Sequence, residues 1–334
     1  MLTDKFISIV VVCYRDEGSV KELLKRLTAT MEKITPNWEV IYVNDDSPDD
    51  AEKVLLKEAE TNPKLTVISH SRNFGAQAAF TTGLMQATGE ATVIMDGDLQ
   101  DPPELIEEFV KKWLSGYDVV YGIRAKRHEG FIRNKGYKLF YSIFRGIAYI
   151  PVPLDAGEFS LMCRQVVNVI LDCPERDRLI RGLRAYAGFR QTGIEFERPP
   201  RFAGESTQSF LDYLMWAYKS FVSFSFAPLR VITVGAFIFS AIMMLVLAYY
   251  LVAYFFGFPA PPGFMTLITF MLGIGAVIMF SLGIIGEYLG RIFIEIKQRP
   301  TQVIRTLVND HRNKPLNWMG IDKSAHDEDI NSHD

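Results

Sequence analysis

Short apolar runs alternate with stretches of helical periodicity through the first part of the chain. Ile7 to Cys13, Glu39 to Val43, Leu65 to Ile68, Ala91 to Met95 and Asp118 to Tyr121 read as strands, rich in β-branched residues and too short for helices. A helix is expected from about Glu17 to Ile34 and another from about Gly75 to Ala87. Pro102 and Pro103 open a third at its first turn, where a missing N–H does no harm. Continuous apolar strands between helices predict an α/β fold, a mostly parallel sheet covered on both faces. Ligands in such sheets sit beyond the carboxyl ends of the strands, so the residues that follow each run carry the interest.

The pattern changes in the second part. Over Gln208–Phe226 apolar residues recur at helical spacing (Phe210, Leu214, Tyr218, Phe221, Val222), with Asp212 and Lys219 off the stripe. Such a stripe is commonly core; because it runs into an uncharged segment, an amphipathic helix lying on a membrane surface is expected. Val231 to about Phe256 has no charge and is long enough to cross about 30 Å of hydrocarbon. Gly257 to Gly263 is a tight break, and Phe264 to about Gly286 crosses back. Lys219 and Arg230 precede the first span, Arg291, Lys297, Arg299 and Arg305 follow the second, and the connecting loop has neither Lys nor Arg. The positive-inside rule then puts both large flanks in the cytoplasm, at a plasma or inner membrane crossed twice. Glu287 and Arg291 are spaced to pair. The expected organisation is a catalytic domain over 1–205, a juxtamembrane helix over 206–228, a two-helix membrane domain over 229–290 and a cytoplasmic tail over 291–334.

Composition adds little beyond this split. The net charge of −3 over 334 residues gives no general affinity for nucleic acid. Cys13, Cys163 and Cys173 lack C-x-x-C spacing and read as reduced, apolar side chains. No leader pattern is expected at the N-terminus.

The local chemistry concentrates at strand ends. In Met95-Asp96-Gly97-Asp98-Leu99-Gln100-Asp101-Pro102-Pro103 two carboxylates stand two residues apart, followed by an amide oxygen. That set suits a hard divalent cation shared with phosphate oxygens; it equally suits a helix start decorated with Asp, where Asp101 fits the capping role. Val43-Asn44-Asp45-Asp46-Ser47-Pro48 ends another strand, as a turn or as a contact to nucleobase or ribose. Neither G-x-G-x-x-G nor G-x-x-x-x-G-K-[ST] occurs, so a diphosphate here needs a metal and basic side chains.

With Ile9 to Glu17, Arg72-Asn73-Phe74-Gly75 and Asp155-Ala156-Gly157-Glu158-Phe159, these segments resemble the GT-A-fold polyprenyl-phosphate glycosyltransferases, a group that includes dolichyl-phosphate mannose synthases. The bacterial two-span branch, with the ending Gly286-Glu287-Tyr288-Leu289-Gly290-Arg291, is the nearest in pattern, and the likeness covers roughly residues 5–305. The resemblance implies a nucleotide-sugar donor, a polyprenyl-phosphate acceptor and Mg²⁺ or Mn²⁺ held by Asp98 and Gln100. It implies Asp45, Asp96 and Arg201 on the donor nucleotide, Arg124 and Arg133 on the acceptor phosphate, and Asp155 near the reaction centre. The basic loop after Arg124 is equally compatible with anionic headgroups. Asp155 is assigned to positioning or acceptor activation, because a lipid monophosphate is already anionic near neutrality, its second pKa being about 6. The chain departs from the pattern at Thr207, where Lys often stands, and at Glu158, where Asp is frequent.

The expected activity is inverting transfer of a sugar, glucose first and UDP-linked, to undecaprenyl phosphate at the cytoplasmic face. A processive polysaccharide synthase and a catalytically silent membrane scaffold of the same fold are the alternatives. A homotetramer is implied by likeness alone, and no nucleic-acid partner is expected.

Overall fold

The computed structural model describes residues 1–124, 156–199, 227–256 and 263–310. The five expected strands form as β1 (Ile7–Cys13), β2 (Trp38–Asn44), β3 (Leu65–His70), β4 (Ala91–Asp96) and β5 (Val119–Arg124). Three more join them: β6 (Ala156–Cys163), β7 (Gln191–Phe196) and β8 (Ile304–Val308). The order across the sheet is β7-β5-β6-β4-β1-β2-β3-β8. β1 runs parallel to β2 and β4, β2 to β3, and β5 to β7. β6 runs antiparallel to β4 and β5, and β8 antiparallel to β3, so the sheet is mixed and mostly parallel.

Every residue of β1 is buried, and alternate ones enter two different cores. Ile7, Ile9, Val11 and Cys13 pack with Leu23, Leu27 and Met31 of α1 (Val20–Ile34) and with Phe109 of α4 (Ile106–Leu114). Val10 and Val12 pack with Phe80 and Leu84 of α3 (Ala76–Gln86) and with Val166 and Ile170 of α5 (Arg164–Asp172). Each such buried side chain stabilises the fold by roughly 1.5–3 kcal/mol before the entropy of ordering is set against it. The sheet is therefore covered on both faces, as a continuous apolar strand requires. The helix α2 (Ala51–Thr61) was not expected, because it buries only Ala51, Leu55 and Ala59 and its stripe is lost among charges.

The order β3-β2-β1-β4 means that the chain leaves β1 on one side and, after β3, returns on the other. The carboxyl ends of β1 and β4 thus flank a topological switch point, where a crevice opens in open α/β sheets.

The chain divides into two compact units, and residues 299–310 belong with the sheet. β8 lies inside the segment expected as a cytoplasmic tail. It pairs with β3 from Val67↔Val308 to His70↔Ile304, and five residues of an antiparallel edge carry too little pattern to announce themselves.

The other unit contains α7 (Ala227–Phe255) and α8 (Phe264–Lys297). Among the described residues one helix is long and apolar enough to cross a membrane, Thr266–Lys297, with a mean hydropathy of 2.4 over its most apolar stretch and none of that stretch buried. The comparable part of α7 is the shorter Val231–Val246. Arg291 Nε donates to Glu287 Oε1 at 3.3 Å, the pairing expected from their spacing. The amphipathic helix expected over 206–228 lies largely outside the described residues.

Candidate active site at the carboxyl edge of the sheet

The loop after β4 is shaped by a glycine that has no substitute. A Cβ on Gly97 would lie 2.8 Å from the carbonyl oxygen of Val12 and 3.1 Å from the Tyr42 hydroxyl. The backbone of Asp96-Gly97-Asp98 is consequently pressed against the end of β1, and Gly97 N–H donates to Val12 O at 2.8 Å. Ser19 Oγ holds the same peptide from the other side, donating to Gly97 O at 2.6 Å. Leu99 then takes a left-handed φ of 60°, and the turn closes as Gln100 N–H donates to Asp98 Oδ1 at 3.1 Å.

Three carboxylates gather in this turn. Asp98 and Asp101 are buried, while Asp96 keeps part of its surface open. Asp101 was expected to cap the following helix; instead its Oδ2 accepts the Asp96 backbone N–H at 3.2 Å, and no side chain caps Pro103–Leu105. The other oxygen of Asp101, Oδ1, is buried with no partner. Withdrawal from water, then Asp101 and Asp98, push the Asp96 carboxyl up, against the opposing pull of Arg124 and Arg198. Burial likewise raises Asp101, against Arg124 and the bond from Asp96.

A divalent cation fits this donor set. The turn offers hard oxygen donors, an orphaned carboxylate oxygen and acids that resist ionising in each other's company, a situation that a cation reverses. Among the described residues no three His, Cys, Asp or Glu side chains are placed to enclose an ion. An ion bound at this turn would take ligands from phosphate and water besides the protein, as Mg²⁺ commonly does.

Two arginines reach the same turn. Arg124 ends β5, and its Nη2 lies 3.1 Å from where a Cβ of Gly157 would stand, so the guanidinium packs on the start of β6. β7 pairs Phe196 with Arg124, and Arg198 follows two residues later. Its neighbour Pro199 accepts through the carbonyl from Gln100 Nε2 at 3.4 Å, which ties this segment to the acidic turn. Sequence reasoning passed over Arg198; a Glu-Arg-Pro-Pro-Arg run beyond an alternating segment was the available signal.

Asp45 also sits at this edge, buried, with both oxygens engaged. His70 Nδ1 donates to its Oδ1 at 2.7 Å, Phe74 N–H donates to the same oxygen at 2.9 Å, and Gly75 N–H donates to Oδ2 at 2.7 Å. The ring of His70 is fully buried, with Nε2 2.9 Å from Thr82 Oγ1. Asp45 thereby fixes the Arg72-Asn73-Phe74-Gly75 loop ahead of α3, where Gly75 takes a φ of 92°. Asp46 beside it has a φ of 53° and pairs with Arg305 of β8 at 3.1 Å. The loops after β1 and β2 are joined through Ser47, whose Oγ accepts Arg15 N–H and donates to Asp49, both at 2.6 Å.

Behind the site lies α6 (Ile180–Tyr186), which carries a fully buried Arg184. Burial lowers its pKa to about 10. It donates to Gly157 O at 3.3 Å and Glu158 O at 3.5 Å, and lies over the Tyr121 ring at 5.0 Å. Glu158 accepts from Gln77 Nε2 at 3.1 Å through one carboxylate oxygen, and its other oxygen is buried without a partner. Of the residues expected in the site, Asp45, Asp96, Asp98, Gln100 and Arg124 stand at this one edge; Arg133, Asp155 and Arg201 lie outside the described residues. Cys13 is buried beside it, its thiol pushed far up by burial and by Asp16 and Asp49, which suits an inert apolar role.

The sequence profile described as Glycosyl transferase family 2 matches residues 8–171. An uncharacterised glycosyltransferase of Synechocystis sp. is 39% identical over 306 residues, covering 90% of this chain and 95% of that protein. The bactoprenol glucosyl transferase of Shigella phage SfV is 34% identical over 304 residues, 90% of this chain and 98% of that one. Among solved structures, glucosyl-3-phosphoglycerate synthase from Mycobacterium tuberculosis with Mn²⁺, uridine diphosphate and glucosyl-3-phosphoglycerate is similar at a TM-score of 0.47 and 14% identity, over 65% of this chain and 77% of that one.

Proposed function

Because this chain belongs to glycosyl transferase family 2 and is a sugar-transferring enzyme of the GT-A type, we propose that it moves a sugar, glucose from UDP-glucose first among donors, onto undecaprenyl phosphate at the cytoplasmic face of a membrane. The observation that carries this reading is the gathering of Asp96, Asp98, Asp101, Arg124 and Arg198 at the switch point of the sheet. Two guanidiniums fall short of offsetting three carboxylates, and a divalent cation turns that deficit into a surplus suited to a diphosphate. Similarity to bactoprenol glucosyl transferases over nearly their whole length supports the lipid acceptor.

When bound by Asp98 and Gln100, Mg²⁺ or Mn²⁺ supplies Lewis-acid stabilisation to the departing diphosphate. Asp45 serves the nucleoside by holding the 72–75 loop, Asp96 meets the ribose from the open part of its surface, and Arg201 stands near the diphosphate. Arg124 and Arg133 orient the acceptor phosphate, a task that suits forked guanidinium donors. The phosphate oxygen attacks the anomeric carbon as the bond from that carbon to the diphosphate breaks, inverting its configuration. Because that oxygen is already anionic, Asp155 positions the acceptor and no proton needs removal. Holding both substrates in line contributes much of the rate. The chain anchors by crossing the membrane twice, through 231–256 and 264–286, with both ends in the cytoplasm, a reading supported by the apolar surface of α8 and the placement of Lys and Arg.

The test is a donor screen with purified full-length protein, Mg²⁺ or Mn²⁺ and a short polyprenyl phosphate, scored by product mass. A glycosylated lipid phosphate formed from a UDP-sugar, and lost with chelator, is the expected result. Sugar chains longer than one unit, or release of free sugar with no lipid product, would overturn it.

A further inference from the structure

The reading above counts Arg198 only in the charge balance of the turn and gives it no ligand, yet its surroundings are those of a group built to meet an anion. Its side chain is half-buried, and its Nε is buried with no hydrogen-bond partner. Arg124, one strand away, also keeps a buried, unpartnered Nε. Two unsatisfied guanidinium donors withdrawn from water are costly, since each loses hydration without a replacement and the like charges repel. An arrangement of that kind persists when something the protein binds completes it. With a divalent cation on the neighbouring carboxylates the turn carries a positive surplus, so the completing group is an anion that accepts from planar, forked donors, a phosphate or carboxylate oxyanion.

The backbone locates that anion. Arg198 stands between the end of β7 and Pro199, whose carbonyl accepts from Gln100, one of the two residues suited to the cation. Arg124 reaches the same turn and packs on Gly157 at the start of β6. Both guanidiniums therefore act on the acidic turn, and Arg198 is the one whose own segment is tied to it, through the Pro199–Gln100 bond. The anion nearest a cation that binds a nucleotide-sugar is its diphosphate.

We infer that Arg198 grips the diphosphate of the nucleotide-sugar, completing with the Asp98–Gln100 turn the site that holds the leaving group, while Arg124 serves the acceptor phosphate. The inference rests on the proposed transfer reaction for its ligand. The attraction between Arg198 and the diphosphate then strengthens as the bond to the sugar breaks and negative charge gathers on the leaving group, so the residue stabilises the transition state more than the ground state.

The experiment uses full-length protein in detergent and the variants Arg198→Gln, Arg198→Lys and Arg124→Gln, each first shown to melt with the wild type. Calorimetric titration with UDP in Mn²⁺ should show Arg198→Gln binding roughly 10- to 100-fold more weakly, the range of a charge-assisted hydrogen bond to phosphate. In transfer assays the same variant should lower kcat and raise KM for the donor, with KM for the lipid phosphate unchanged; Arg124→Gln should do the reverse. Arg198→Lys should recover only part of the loss, because it keeps the charge and lacks the fork. Unchanged UDP binding in Arg198→Gln, or a defect confined to the lipid phosphate, overturns the inference. If the wild type transfers no sugar, the transfer reading fails by itself, and the UDP titrations still decide whether Arg198 grips a diphosphate.

Discussion

Arg15, Asp46 and Leu99 have φ angles of 62°, 53° and 60°, and all three follow the carboxyl ends of β1, β2 and β4. Left-handed backbone at residues other than glycine costs of order 1 kcal/mol each and tends to collect where function dictates the path. Here it turns the chain sharply enough to bring Asp96, Asp98 and Asp101 together. Asp98→Asn should leave the thermal melt unchanged and cut metal-dependent transfer by at least about 100-fold, the effect of losing several kcal/mol of cation binding; full activity in the variant would remove Asp98 from the metal site. The raised carboxyls of Asp96 and Asp101 make a second prediction. A carboxyl whose folded-state pKa lies above its unfolded value, about 4, favours the folded protein fully below that value, and the benefit disappears as pH rises through the folded-state value. Metal-free protein should therefore lose melting temperature as pH rises from about 4 toward neutrality and beyond, and Asp96→Asn should flatten that slope. Mn²⁺ should raise the melt more at pH 8 than at pH 5. A Mn²⁺ gain independent of pH would separate the acids from the cation.

At the level of elements, the strands that announce themselves are those buried on both faces. β1 to β4 are continuous β-branched runs, and they appear within one or two residues of the limits expected from sequence. β6 contains Ala156, Gly157 and Glu158 in its first half, and β7 is only partly buried, so neither has the composition of a strand. The strand-end motifs Asp45-Asp46 and Asp96-Gly97-Asp98 were legible because they follow legible strands. Arg184, Arg198 and His70 were not, since their meaning comes from partners 12 to 102 residues distant, from Thr82 beside His70 to Asp96 beside Arg198. Arg184 is the clearest example: one buried guanidinium pins the carbonyls of Gly157 and Glu158, and so fixes the origin of β6 immediately after Asp155. Removing one member of a buried charged cluster typically costs about 3–5 kcal/mol. Arg184→Met should destabilise by that order in urea titrations, and adding Glu158→Gln should recover part of the loss by removing the stranded carboxylate. A double variant no better than the single one would show that Glu158 does not depend on Arg184.

For the molecule as a whole, the contrast between its two units is one of solvent. The sheet unit buries its apolar side chains between helices, whereas Phe237, Leu245, Met271 and Phe280 of α7 and α8 are 74%, 71%, 66% and 68% exposed. Among the described residues Thr266–Lys297 is long and apolar enough to cross a bilayer. If the chain crosses twice, the 257–263 segment faces outward. Ala260→Cys in intact cells should react with a membrane-impermeant maleimide, while the parent protein, whose Cys13, Cys163 and Cys173 all belong to the sheet unit and so face the cytoplasm in that reading, should not. Labelling above the parent's level only after the cells are opened would reverse the topology. The return of β8 to the free edge of β3 has a consequence for biogenesis. His70 and Ile304 are neighbours in the sheet and register partners, yet the ribosome makes them roughly 10–50 s apart at ordinary elongation rates. Throughout that interval β3 presents an unpaired border, the kind that recruits stray strands, and the segment that seals it emerges only after both apolar helices have been made. Closure of the sheet thus waits on synthesis of the whole second unit, and a chain cut short anywhere before residue 304 is left with the seam open.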